Sequence, residues 1–270
     1  MTVSRLLVAA AMALPCAAAA QLEHYTLPPV VAGKDVIWLP TPDHAVDRML
    51  ALARVGPQDL VVDLGSGDGR IPIVAAKRYG ARGLGLEYNA DLVAVSRRNA
   101  RAEGVADRVR FVQADFFAAD FSDATVVTLY LLPSLNVKLR PTLLDLRPGT
   151  RVVSHLFRMG DWEPDATLKV GASELFLWRV PAKVDGRWRV AAADGAPFEL
   201  VLEQRFQRLS GQARVGGASI RLHAARLSGD EIRFAYADAG GVQQAFVGRV
   251  AGPRMAGADG TWSAVRAAAN

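Results

Sequence analysis

Cysteine is all but missing from this 270-residue chain, whose one thiol is Cys16. A disulfide scaffold is thereby excluded, as is a zinc cluster built on paired cysteines. Lysine is nearly as scarce, occurring only at positions 34, 77, 138, 169 and 183, so the basic side of the charge balance is almost wholly arginine. Basic residues number 32 and acidic ones 27, for a net charge of +5, and no run of like charge exceeds two residues. The charge footprint of a nucleic-acid binder is absent from such a pattern, and no nucleic-acid partner is expected. The four histidines, His24, His44, His155 and His223, are scattered without ligand spacing, so no metal site is expected. No G-x-S-x-G elbow occurs, which excludes the hydrolases built on one.

Long apolar runs are also lacking. Between Arg5 and Glu23 lie 17 uncharged positions, short of the ~20 that a membrane-spanning helix needs. Arg5, the apolar residues that follow and the small residues 17–20 form the charged, hydrophobic and cleavage regions of a secretory signal. Cutting is expected after Ala20, which places the mature chain in the periplasm or outside the cell and leaves it without cysteine. A leader that anchors the chain to the inner membrane, with its domain in the cytoplasm, is the alternative.

What is present is ordinary for a globular chain, with 51% hydrophobic and 22% charged residues. Thr41 is placed to cap a helix that has Pro42 at its first position. Short apolar runs at 60–64, 83–87, 109–112, 124–131 and 151–156 then alternate with helical patterns at 71–79, 89–103 and 134–144. Asn89 caps the second of these helices, and Pro141 is expected to kink or shorten the third. Such alternation specifies a parallel sheet covered on both faces. Residues 167–170 and 174–180 read as an antiparallel hairpin added at its edge. Beyond Pro181 the pattern changes to short strands at 198–206, 219–227, 231–237 and 243–250, punctuated by glycine turns. The expected organisation is a leader at 1–20, an α/β domain with a doubly wound, mostly parallel sheet at 21–184, and a small all-β meander or barrel at 185–270. Trp188 and Trp262 are read as plugs of the β-domain core.

The informative stretch is Val61-Val62-Asp63-Leu64-Gly65-Ser66-Gly67-Asp68-Gly69-Arg70. A strand ends in an acid, and glycines follow at every second position before a helix. Glycine there permits a tight turn and lets a ligand approach the main chain. A dinucleotide site wants G-x-G-x-x-G, but arginine stands at position 70, and no Gly-Lys-Ser/Thr of a phosphate loop follows. The loop therefore suits a ligand without phosphate. Glu87 ends the second strand, where a carboxylate accepts from both hydroxyls of a ribose. Asp115 follows the third, beside Phe116, where an acid next to an aromatic ring suits adenine. Three successive strands ending in acids describe one ligand lying across their carboxyl ends.

These residues resemble the class I, seven-strand, Rossmann-like methyltransferases that use S-adenosylmethionine, over about residues 36–180. The segment from Asp63 to Gly69 matches that family's D-x-G-x-G-x-G loop. The resemblance implies cofactor contacts from Asp63, Gly65, Ser66, Gly67 and Gly69, with Glu87 on the ribose and Asp115 and Phe116 on the adenine. Trp38-Leu39-Pro40-Thr41-Pro42 is similar to the family's lid, which assigns Trp38 and Thr41 to the sulfonium side. The stretches from Thr128 to Asn136 and from Ser154 to Trp162 resemble bacterial relatives of the small protein-lysine methyltransferases of mitochondrial membrane proteins. The Asn/Asp-Pro-Pro-aromatic motif of other amino-group methyltransferases is replaced by Leu131-Leu132-Pro133-Ser134. Tyr130 and Asn136 are the candidate catalytic groups at the acceptor mouth, with His155 nearby at the end of the fifth strand. An amine acceptor, a protein lysine, is expected. A small molecule or lipid such as a quinone is the alternative acceptor, and a non-catalytic nucleoside-binding envelope protein is the alternative class.

Overall fold

The computed structural model describes residues 39–193 and 195–268. The expected leader and Trp38 lie outside the described residues. Helix α1 (Asp43–Leu52) is followed by β1 (Leu60–Leu64), α2 (Arg70–Tyr79), β2 (Arg82–Glu87), α3 (Ala90–Ala102) and β3 (Val109–Gln113). Then come β4 (Val126–Leu129), α4 (Pro133–Leu144), β5 (Arg151–His155), β6 (Ala166–Val170) and β7 (Ser173–Arg179). The seven strands form one sheet in the order β3-β2-β1-β4-β5-β7-β6. Strands β1 to β5 are parallel, and β7 alone runs against its neighbours β5 and β6. The order reverses at β1, with β2 on one side and β4 on the other, and open α/β sheets bind ligands at such a switch point.

The sheet is apolar on both faces, as the unbroken hydrophobic runs of its central strands require. One face packs Val62, Leu64, Val127, Leu129 and Trp178 against α4 through Leu139 and Leu143. The other packs Val61, Val126 and Val153 against Met49 and Leu50 of α1 and Ile71 of α2. Among the described residues no helix is long and apolar enough to cross a membrane.

The second unit consists of β8 (Gly186–Ala192), β9 (Phe198–Arg205), β10 (Arg208–Val215), β11 (Ala218–Arg221), β12 (His223–Ser228), β13 (Glu231–Ala237), β14 (Gln243–Ala251), β15 (Arg254–Ala256) and β16 (Trp262–Arg266). These pair in the order β11-β10-β12-β13-β14-β15-β16-β8-β9, and a further β9–β10 pairing closes eight of them into a barrel from which β11 projects. Closure removes the exposed edges that an open sheet would present. Trp188, Leu200, Phe234 and Trp262 lie in its hydrophobic core, so both tryptophans are core plugs.

Three local expectations are corrected. Thr41 does not cap α1; Pro42 occupies the cap position with no side-chain hydrogen bond, and its carbonyl accepts from the Ala45 and Val46 N–H groups. Of the kink or shortening expected at Pro141, the shortening does not occur, since α4 runs through it to Leu144. Pro141 is exposed on the helix surface. The strand expected over 219–227 is two strands, broken where Leu222 donates to the Gly211 carbonyl and Ala224 takes a positive φ of 52°.

Candidate active site

The crevice lies at the carboxyl ends of β1 to β5. On its floor the glycine loop leaves β1 with Gly65, Gly67 and Gly69 at φ of 78°, 54° and 82°, all in the region that glycine alone occupies without strain. The Gly65 and Ser66 N–H groups both donate to the Leu86 carbonyl, which ties the loop to the end of β2. Gly85 makes this approach possible. A Cβ there would meet the Phe111 ring and stand 2.5 Å from Ser66 Oγ. The Ser66 hydroxyl thus faces Gly85 beneath the loop, buried and without a hydrogen-bond partner.

Glu87 bridges the loop and the next helix. Its Oε2 accepts from the Gly67 N–H and its Oε1 from the Asn89 N–H, each at 2.9 Å. Asn89 in turn caps α3, its Oδ1 accepting from the Asp91 and Leu92 N–H groups. Asp115 lies just past β3, exposed, with Oδ1 accepting from the Phe117 N–H. The half-buried Phe116 ring sits beside it and tilts against Phe117 at 4.8 Å.

Asp63 is buried at the end of β1, and Thr128 Oγ1 of the neighbouring β4 donates to it at 2.7 Å. Burial pushes its carboxyl up to about 7, and the nearby carboxylates of Glu87 and Asp68 push the same way against the Thr128 hydrogen bond. The crevice thus gathers acids that the chain itself leaves without counter-charge at Asp63 and Glu87. Asp68 is the exception. It holds Arg70, whose NH2 stands 2.6 Å from Asp68 Oδ2 while its NH1 donates to the Thr41 carbonyl at 3.0 Å. Arg70 thereby fastens the loop to the segment that precedes α1. Sequence reading treated Arg70 only as a missing glycine, and it passed over Thr128 and Gly85. The signal for Arg70 was its position two residues after Asp68, within reach of a bidentate pair.

Across the switch point, Tyr130 follows β4 and His155 ends β5, with ring centroids 4.3 Å apart. Phe157 stacks on Tyr130 at 6.1 Å and 20°. Leu132 and Leu156, close to them in sequence, are exposed, as is Val137 on α4. His155 is buried, with Nε2 2.9 Å from Ser173 Oγ and Nδ1 unpartnered. Burial, with a smaller contribution from His44, lowers its pKa to about 4, so the ring is neutral at pH 7. Asn136 stands apart from this wall. It is fully buried, and its Nδ2 donates to the Phe157 and Arg158 carbonyls at 3.3 and 3.4 Å. It sits behind the segment that carries Phe157, with its Nδ2 also 3.4 Å from Ser154 Oγ and its Oδ1 without a partner. Tyr130, His155 and Phe157 are brought together; Asn136 is not among them.

An acid-lined crevice with a glycine floor and an aromatic rim fits a cation-bearing nucleoside: carboxylates accept from ribose hydroxyls, uncompensated negative charge suits a sulfonium, and the glycines leave room for main-chain contact. Comparison with known proteins agrees. Residues 63–166 match the profile of the ANTKMT methyltransferase domain. A protein-lysine N-methyltransferase of Saccharolobus islandicus is 44% identical over 137 residues, which are 50% of this chain and 85% of that protein. The adenine nucleotide translocase lysine N-methyltransferase of Mus musculus is 32% identical over 160 residues, 58% of this chain and 67% of that protein. A crystal structure described as an RNA methyltransferase from Salinibacter ruber, in complex with S-adenosyl-L-homocysteine, is 56% identical with a TM-score of 0.53, covering 54% of this chain and 96% of its own.

Sheet order, crevice and relatives together define a class I methyltransferase that uses S-adenosylmethionine. Within that class the chain belongs to the family of the ANTKMT methyltransferase domain.

Proposed function

We propose that this enzyme transfers the methyl group of S-adenosylmethionine to the side-chain amine of a protein lysine. The observation that carries the reading is the acceptor wall of Tyr130, neutral His155 and Phe157, with Leu132 and Leu156 exposed close to it in sequence. An apolar lining disfavours the ammonium form of an entering lysine, and an aromatic face stabilises the methylated cation that forms. The lysine methyltransferases among its relatives support the same acceptor.

In this reading Gly65, Gly67 and Gly69 admit the methionine part of the cofactor and Asp63 faces its positive end. Glu87, whose oxygens each keep a free lone pair, takes the ribose hydroxyls. Asp115 and Phe116 take the adenine, and Thr41 lies on the sulfonium side. The bound cofactor supplies an electrophilic methyl group on sulfur. The chain contributes position and dryness. Tyr130 and Phe157 direct the amine in line, which supplies much of the rate of such a transfer. His155 takes no proton at neutral pH, so the lysine loses its proton to water on entering.

The chain is exported and cut after Ala20, and residues 21–184 form the methyltransferase domain while 185–270 form the barrel. A second acceptor, RNA, is favoured by the Salinibacter ruber structure. Methyl-labelled cofactor, incubated with the enzyme and a mixed extract, separates the readings: label in Nε-methyllysine supports this one, and label in nucleotides or lipid overturns it.

A further inference from the structure

We infer that the tip of the β9–β10 hairpin, Phe206 and Gln207, is a positioning element for the acceptor side of the active site. The inference rests on the reading that the acceptor enters beside Tyr130 and Phe157. The segment from Leu156 to Asp165 connects β5 to β6 and carries Phe157 at its start. Its first half is held from α4. Asn136 donates to the Phe157 and Arg158 carbonyls, and Arg140 NH1 donates to the Met159 carbonyl at 3.1 Å and pairs with Asp161.

Its second half is held from the barrel. Trp162 Nε1 donates to Gln207 Oε1 at 2.9 Å, and Gln207 Nε2 donates to the Glu163 carbonyl at 2.7 Å. Arg205 pairs with Asp161 at 2.9 Å, and Arg208 pairs with Glu163. The Phe206 ring stacks on Trp162 at 5.9 Å and 22°, while the Arg140 guanidinium lies 5.3 Å from its centroid. Asp161 is therefore gripped by one arginine from each unit, and Trp162, fully buried, lies against both Phe206 and Trp178.

Backbone geometry adds an independent observation. Phe206 has φ of +54° in a two-residue hairpin loop, a position that glycine fills without strain and a bulky aromatic does not. Leu156, which opens the connection from β5 to β6, has φ of +63°. Strain of this kind persists where surrounding contacts over-determine it, and it concentrates at functional sites. The contact that holds Phe206 there is its ring on Trp162. The glycine loop and Glu87, by contrast, are held from the end of β2, the cap of α3 and the segment before α1. The barrel thus braces the connection that carries Phe157, and among the described residues these contacts fall on Asp161, Trp162 and Glu163. Because a small misplacement of reacting groups costs a transfer reaction heavily, the brace acts on the acceptor.

The test uses the full chain with Phe206→Gly, which relieves the positive φ while removing the ring, Phe206→Tyr, which keeps the ring, and Gln207→Ala. Calorimetry measures S-adenosylhomocysteine binding, labelled methyl transfer to poly-L-lysine gives KM and kcat, and hydrogen exchange reads the amides of residues 156–163. Phe206→Gly and Gln207→Ala are expected to bind S-adenosylhomocysteine within twofold of wild type, raise the acceptor KM at least tenfold, and speed exchange of the Leu156 and Trp162 amides at least tenfold. Phe206→Tyr is expected to restore wild-type values. Unchanged exchange in Phe206→Gly and Gln207→Ala overturns the proposal, as does a cofactor Kd that rises together with the acceptor KM. If wild type fails to methylate poly-L-lysine, the amine reading falls, and the exchange measurement still decides whether the brace exists.

Discussion

Replacing Glu87 by glutamine keeps the size of the side chain and removes its charge and one of its acceptor oxygens. Both oxygens are occupied in the structure, Oε2 by the Gly67 N–H and Oε1 by the Asn89 N–H. Whichever way the amide turns, its NH2 faces one of those donors. An unmatched buried donor costs about 1–3 kcal/mol, so the fold loses roughly that much stability. The cofactor loses one charge-assisted hydrogen bond from its ribose, worth about 1.5–3 kcal/mol. At about 1.4 kcal/mol per tenfold in Kd, affinity for S-adenosylhomocysteine falls by about 10- to 150-fold. Calorimetry on the folded variant, checked by its melting curve, measures both effects. A Kd within threefold of wild type would refute the placement of the ribose on Glu87, since no other group is offered for it.

Other consequences can be measured in the same way. Gly85→Ala places a Cβ against Phe111 and 2.5 Å from Ser66 Oγ, so it should cost about 1–3 kcal/mol by overpacking and displace the glycine loop; a variant with unchanged melting and cofactor binding would remove Gly85 from the account. Burial raises Asp63 to about 7, well above its unfolded value, so the native state holds a proton that the unfolded chain has lost, and the stability of the cofactor-free enzyme should fall as pH rises from about 4 to 7. Asp63→Asn should flatten that slope by up to a few kcal/mol, and denaturation curves with the same slope in both proteins would contradict the cause given. His155, held near 4 by burial, should add no inflexion near pH 6.5 to the rate profile, and an inflexion that disappears in His155→Gln would make it a base after all. Intact-mass measurement of envelope fractions should find a chain beginning at Gln21, whereas a chain found only in the cytosol with its leader intact would end the export proposal.

The legible parts of the chain were those where one local rule suffices. Five parallel strands were readable as short apolar runs because both faces of the sheet are buried, and Asn89 was readable as a cap because its side chain bonds only to its own helix. The glycine loop and its three acids announced a crevice because their spacing is a backbone requirement. The barrel was read incompletely. Strands β8, β10, β15 and β16 were missed, since strands such as Arg-Leu-Ser-Gly-Gln-Ala-Arg-Val in β10 have a polar outer face and an interrupting glycine that imitate a loop. Long-range partners were likewise invisible. Arg70 reaches back 29 residues to the Thr41 carbonyl, and Trp162 finds Gln207 from 45 residues away. Asn136 is fully buried with its Nδ2 on the Phe157 and Arg158 carbonyls, partners that periodicity does not reveal.

The central claim is tested most directly by the chemical identity of the methylated product. Purified enzyme, S-adenosylmethionine carrying a labelled methyl group, and an extract of envelope proteins, RNA and lipids are incubated together. The protein fraction is hydrolysed to amino acids, the RNA to nucleosides, and the lipids are extracted separately. The account predicts label in Nε-methyllysine, lost in Tyr130→Ala. Label confined to methylated nucleosides or to the lipid extract would contradict it.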